Sequence, residues 1–283
     1  MSEAPTCVDQ SQVEHALRQT EQEAYLQAPQ GLLLDLDGTV YAGQELVPGA
    51  AAAVAILRSA GFPFLFTTNT SRKSRADVVA SLADMGLAAS EDEILTAPVA
   101  AAAWLEAQGI HRVHLLVSDS THADFTGLEL TEDQPEAVLV GDLGAGFTFE
   151  RLNSAFRSLR SGARLVAIHR NRFWIPEAGP TLDAGPFVAA LEYASGATAT
   201  LIGKPAPEFF AMAARRLDVP AGGLAVIGDD LESDVRGGRA AGLMTIQVRT
   251  GKYDSEATRL APPEHRPHHV VDSLADVPAL IIA

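Results

Sequence analysis

Asp35 and Asp37 stand two positions apart at the end of an apolar run, Leu32–Leu34, and are followed at once by Gly38 and Thr39. Ionised carboxylates at the end of a core strand are costly unless their charge is compensated. Two so spaced suit two tasks. One attacks an electrophile, and the other exchanges a proton with the leaving group and then with water. Three further apolar runs end in polar groups. Thr67, Thr68 and Asn69 close FLFTTN, Lys204 follows TLIG, and Asp229 and Asp230 close LAVIGDD, with Asp234 shortly after. Three or four carboxylates around one point do not all stay ionised without a cation. An oxygen-only donor set selects a hard ion, and Mg²⁺ keeps waters and takes a phosphate oxygen. Lys204 and the Thr68 hydroxyl then meet the rest of the phosphate charge. On this reading Asp35 attacks phosphorus and carries an aspartyl-phosphate, Asp37 is the general acid and base, and Asp230 and Asp234 orient the metal site and Lys204.

The elements that must bring these groups together alternate between strand and helix. Residues 31–36 read as a strand, 48–60 as a helix between Pro48 and Gly61, FPFLFTT as a strand, and 71–86 as a helix stopped by Gly86. This βαβ rhythm implies a parallel sheet with helices on both faces. SEDEILTAPVAAAAWLEAQG then reads as a capped acidic start and a helix. VHLLVS, AVLVGD and RLVAIH read as strands, and TFERLNSAFRSLRSG and GPFVAALEYASG as helices. TATLIGK, LAVIGDD and MTIQVRT are three more strands, with helices EFFAMAARRL and SDVRGGRAAG between them. The carboxyl ends of parallel strands line one crevice, so Asp35, Asp37, Thr68, Lys204 and Asp229 are expected at one site.

DLDGTVY, TTN, GKP and GDDLESD, in this order, resemble the four motifs of the haloacid-dehalogenase-like phosphatases. The resemblance implies Asp35 as nucleophile and Asp37 as acid/base. It implies Thr68, Asn69 and Lys204 around the phosphoryl group, and Mg²⁺ held by Asp35, Asp229 and the backbone carbonyl of Asp37. It also implies an α/β fold: a Rossmann-like parallel-sheet core over 30–89 and 200–283, interrupted by an α/β cap of the class IIA (C2) kind over 90–199. Residues 1–29 lie outside it. There Val13, Ala16, Leu17 and Ala24 leave a short amphipathic helix and a disordered extension both open. Many class IIA members carry Asn-x-Asp where this chain has AIHRNRFWIPE. His169, Arg170, Asn171, Arg172 and Trp174 are therefore the candidates for facing the substrate, with small phosphomonoesters, pyrophosphate and phosphorylated lysine or histidine all open. Caps of this class often pair, so a homodimer through the cap is expected.

The 283 residues, 47% hydrophobic and 20% charged, suit a globular protein with a sizeable core. A net charge of −15 and no Lys/Arg run argue against nucleic acid. The single cysteine, Cys7, excludes an internal disulfide framework, and no apolar stretch reaches membrane length, so the expected location is cytoplasmic, with no membrane partner. Other features read as structural. Trp104 is read as packing, His111 and His114 as surface positions, and His265, His268 and His269 as a solvated Pro-rich loop. Three rival readings remain. A receiver module shares the acceptor Asp, acidic pocket, Thr and Lys, but lacks Asp37's role and the insertion. A C–halogen hydrolase lacks the second Asp. A pseudoenzyme would not need intact motifs.

Overall fold

The structure is a computed structural model that describes residues 28–174 and 179–282. The reading of residues 1–29 falls almost wholly outside that range. In chain order the strands are β1 (Gly31–Asp35), β2 (Tyr41–Ala42), β3 (Glu45–Leu46), β4 (Phe64–Thr68), β5 (Ile94–Thr96), β6 (Arg112–Leu116), β7 (Glu129–Leu130), β8 (Ala137–Val140), β9 (Arg164–Ala167), β10 (Phe173–Trp174), β11 (Thr181–Leu182), β12 (Thr200–Leu201), β13 (Leu224–Gly228), β14 (Met244–Val248) and β15 (His269–Val271). The main helices are α1 (Ala50–Ser59), α2 (Arg75–Asp84), α3 (Ala97–Ala107), α4 (Phe149–Arg160), α5 (Ala184–Ser195) and α6 (Pro207–Leu217).

Two parallel sheets organise the chain. The first has the order β15-β14-β13-β1-β4-β5, and the second β12-β9-β8-β6-β7. The second is built entirely from residues that fall between β5 and β13. β1 is central because both of its faces are apolar. Leu33 packs with Leu65, Leu95 and Val226 on one side. Leu32 and Leu34 pack with Phe64, Phe66 and Ile227 on the other. All three leucines of the run are fully buried, each contributing about 2 kcal/mol of apolar burial. A strand so enclosed carries no alternation and reads as a continuous apolar run.

Local chemistry sets the helix starts. Ser74 and Asp77 form a reciprocal capping box on α2, Thr96 caps α3 ahead of Pro98, and Asp183 caps α5. The segment read as one capped helix from Ser90 divides in three. A single 3₁₀ turn at Glu91–Glu93 is followed by the edge strand β5 on the first sheet, and only then by α3. ILT is too short to show a period, and β-sheet pairing with β4 overrode the helical reading. SDVRGGRAAG likewise forms a π-helical turn, Leu231–Arg236, before a four-residue helix, Gly237–Ala240.

Two histidine readings are corrected. His114 is 3% exposed, facing inward from β6, and burial lowers its pKa. His268 is half-buried, and its Nδ1 accepts from the Thr245 amide at 2.9 Å, tying the segment before β15 to β14. Trp104 packs against the core with the Arg164 guanidinium 5.0 Å from its ring centre.

Candidate active site

β1 lies between β13 and β4 in parallel register, with Asp35 opposite Thr67 and Leu34 opposite Ile227. The polar groups that follow each apolar run therefore emerge side by side. Asp35, Asp37, Thr68, Asn69, Lys204, Asp229, Asp230 and Asp234 all line one cavity of about 340 Å³. Thr68 lines it, while Thr67 points into the interior, its hydroxyl buried without a partner. The Thr68 hydroxyl accepts the Thr70 N–H at 3.1 Å.

Lys204 ties the site together. It is 3% exposed, and its Nζ donates to Asp35 Oδ1 at 2.5 Å and Asp234 Oδ1 at 2.7 Å. Burial opposes its charge, but Asp234 and Asp35 outweigh burial and hold it protonated above the ordinary lysine range. Asn69 grips the Lys204 backbone at both ends. Its Oδ1 accepts the Lys204 N–H at 2.9 Å and its Nδ2 donates to the Lys204 carbonyl at 2.7 Å. The amide expected near phosphate is thus engaged in holding the lysine, while still lining the cavity.

The carboxylates are crowded. Burial, followed by Asp229 against the opposing pull of Lys204, raises Asp35 to about 6. Burial and Asp234 raise Asp229 to about 6, against the Lys252 N–H. Burial and Asp35 raise Asp234 to about 7, against Lys204. Asp230 goes the other way. Burial raises it, but Lys252 and the Ser233 and Glu232 amides prevail and lower it. Carboxylate oxygens of Asp35, Asp229 and Asp234 lie within 4.8 Å of one another. That donor set, all oxygen and short of positive charge, fits a hard divalent cation. Asp234 joins the two expected carboxylates, Asp35 and Asp229, in this group. Asp37 is exposed at the cavity wall, and its charge adds to burial in raising the Tyr41 pKa.

Asp229 is placed by backbone. The Lys252 N–H donates to its Oδ2 at 2.6 Å, and Gln247 Nε2 donates to its carbonyl at 3.1 Å. Gly38 sits at φ +90, and a Cβ there would stand 2.1 Å from Asp229 Oδ2. This is the physical reason for glycine after Asp37. Gly38→Ala is expected to displace Asp229 and destabilise the fold by about 2 kcal/mol or more, measured as a lower denaturant midpoint alongside lost cation binding.

Of the five substrate-facing candidates, His169 and Asn171 line this cavity. Arg170 and Arg172 turn to a separate groove with Phe173 and Leu182, and Arg170 pairs with Glu192 at 2.6 Å. Trp174 pairs by backbone with Thr181 in the β10–β11 hairpin, and its side chain lies outside the described residues. Ser71, Arg72, Asp142, Asp183 and Lys252 line the cavity as well, outside both the four motifs and the substrate-facing candidates. Ser71 Oγ lies 3.1 Å from His169 Nε2 and accepts the Asp142 N–H at 2.8 Å, and Arg72 pairs with Asp142. These contacts join the loop after β4 to the second sheet. The only hint in the sequence was the position of SRK directly after TTNT.

Comparison with known proteins agrees with this geometry. Residues 32–131 match the family described as haloacid dehalogenase-like hydrolase, and 201–277 match the HAD-hydrolase-like family. The phospholysine phosphohistidine inorganic pyrophosphate phosphatase of Bos taurus is 37% identical over 89% of this chain and 94% of its own. Haloacid dehalogenase-like hydrolase domain-containing protein 2 of Homo sapiens is 39% identical over 86% of this chain and 93% of its own. A glycerol phosphate phosphatase from Mycobacterium tuberculosis, solved in complex with magnesium, superposes with a TM-score of 0.81 at 31% identity, covering 91% of this chain and 79% of that one. The chain belongs to the haloacid dehalogenase-like hydrolases.

Proposed function

We propose that this protein is a Mg²⁺-dependent phosphatase that cleaves a small phosphorylated substrate through an aspartyl-phosphate on Asp35. The observation that carries the reading is the single cavity into which β1, β4, β13 and the segment after β12 deliver Asp35, Asp37, Thr68, Lys204 and Asp229. Asp35 attacks phosphorus. Asp37 gives a proton to the departing oxygen, then takes one from the water that cleaves the acyl phosphate and frees Asp35. Thr68 and Lys204 hold the phosphoryl oxygens, Asn69 fixes the lysine, and Asp230 and Asp234 position Lys252 and Lys204. Asp35, Asp229 and the Asp37 carbonyl would hold Mg²⁺, which would supply charge neutralisation for the phosphoryl group. The relatives' names and the magnesium-bound neighbour support the reaction class and the ion.

The chain divides, on this reading, into an extension (1–29), core segments (30–89 and 200–283) and a cap (90–199), with β5 on the first sheet and β12 on the second. The cap excludes water and selects the leaving group. A cytoplasmic location and a homodimer through the cap complete the proposal. Among the described residues no helix is long and apolar enough to cross a membrane.

The test is phosphate release by the wild-type protein from a panel of phosphomonoesters, pyrophosphate and phospholysine, with Mg²⁺ and with chelator. Release only with metal supports the proposal, and inertness throughout rejects it. Stability gives a second readout. The folded-state pKa values of Asp35, Asp229 and Asp234 lie above the ordinary value of 3.8. The folded protein therefore binds more protons than the unfolded chain between about pH 4 and 7, and the metal-free form loses stability as pH rises through that window. Mg²⁺ is expected to raise the Tm more at pH 7.5 than at pH 5. An equal rise at both would show that these carboxylates do not bind the ion.

A further inference from the structure

Beyond the catalytic end, the cavity has a roof formed by Arg72, Asp142, His169, Asn171 and Asp183. Asp142 and Asp183 are each 6% exposed. Asp142 is paired with Arg72. Among the described residues Asp183 has no Lys or Arg partner. Its Oδ1 caps α5 by accepting the Ala184 N–H at 2.7 Å and lies 3.7 Å from His169 Nε2. Burial lowers the His169 pKa against the pull of Asp183 and Asp142, so the imidazole offers Asp183 little counter-charge. Among the described residues, Asp183 Oδ2 accepts no hydrogen bond. A buried carboxylate with one oxygen uncommitted thus lines the cavity beside His169, which follows β9. Helix α5 needs only one of the two oxygens, and an uncharged Asn would cap it equally well.

The charge of the whole cavity points the same way. Among the described residues, seven carboxylates and three cationic side chains line it, and each of those cations is bonded to a carboxylate. A divalent cation and a phosphoryl dianion entering together leave that imbalance unchanged. Any further negative charge on the leaving group would sit in a half-open, net-negative space beside buried carboxylates, where like charges cost more than in water. A leaving group that is neutral, or that carries an amine, would instead have Asp183 as an acceptor.

We propose that Asp183 is a specificity-determining residue that selects phosphorylated alcohols or amines with neutral or cationic leaving groups and rejects those whose leaving group is itself an anion. The inference rests on the phosphatase reading above and narrows it, setting pyrophosphate and carboxylate-bearing phosphate esters at a disadvantage.

The test compares kcat/KM for O-phosphoethanolamine, glycerol phosphate, phosphoglycolate and pyrophosphate at fixed Mg²⁺, in wild type and Asp183→Asn. In wild type the first two should exceed the anionic pair by at least about tenfold, mainly through KM, with the gap narrowing as ionic strength rises. Asp183→Asn should bring the ratio of phosphoglycolate to glycerol phosphate toward unity while the Tm stays near that of wild type, because the cap is retained. Equal or better turnover of the anionic pair by wild type overturns the proposal. So does a parallel fall for all four substrates in the variant, the result expected of a structural role alone. If wild type also fails to release phosphate from 4-nitrophenyl phosphate, the phosphatase reading itself falls and takes this inference with it. Turnover of that substrate without the charge preference rejects only the inference.

Discussion

Asp35→Asn is expected to abolish phosphate release and, in the same protein, to raise the Tm of the metal-free form at pH 7.5. The rate loss should be about 10⁴-fold or more, as for removal of an attacking group that acts within a unit. The gain in stability follows from the crowding. Asp35 is 7% exposed, close to Asp229 and Asp234, and its pKa is pushed up to about 6 despite the bond to Lys204. Ionised Asp35 thus costs the folded state more than Lys204 returns. An amide of the same shape removes that cost above pH 6 and changes little below pH 4, where the carboxyl is protonated in both states. Thermal unfolding across pH 4–8 with chelator, beside phosphate release with Mg²⁺, reads both effects. An active variant would remove Asp35 as nucleophile. A variant less stable than wild type at pH 7.5 would show that the Lys204 bond outweighs the crowding.

Lys204→Met should produce the largest loss of stability of any substitution in the cavity. It leaves Asp35 and Asp234 buried and facing one another without their shared cation, and breaking such a pair from one side costs about 3–5 kcal/mol. Activity should vanish, because the phosphoryl group loses its cation and Asp35 its orientation. Most of the cost belongs to the stranded carboxylates rather than to the lysine. Lys204→Met combined with Asp234→Asn is therefore expected to recover a substantial part of the lost stability and none of the activity. Urea unfolding of the two single variants and the double variant gives the coupling directly. Strict additivity would mean that Lys204 and Asp234 do not act as a pair.

The catalytic end of the site was legible because strand burial and polar chemistry coincide there. Leu32–Leu34 and Leu224–Ile227 are fully enclosed runs, so the residues that break them had to emerge at the sheet's carboxyl edge. The roof was not legible in the same way. No motif in the sequence singles out Asp183, Asp142 or Arg72. Only the approach of the second sheet gives them a shared cavity. The run His169–Arg172 illustrates the limit. All four were flagged together, yet alternate residues diverge to two different cavities, because the chain extends there towards β10 and successive side chains leave on opposite sides. β5 was missed because three residues cannot display a period, and His114 because an imidazole on a strand reads as polar until its face is known.

Because β13 lies between β1 and β14, the strand that ends on Asp35 borrows one of its two neighbours from a segment made long after it. During synthesis β1, β4 and β5 emerge first, and β1 presents an open, wholly apolar edge until the chain has passed residue 228. Such an edge invites pairing with another nascent copy. A fragment stopped after α6 would keep Asp35, Thr68 and Lys204 in sequence, yet would expose that edge permanently and aggregate. The order of the strands thus makes the end of the chain the guard of its beginning.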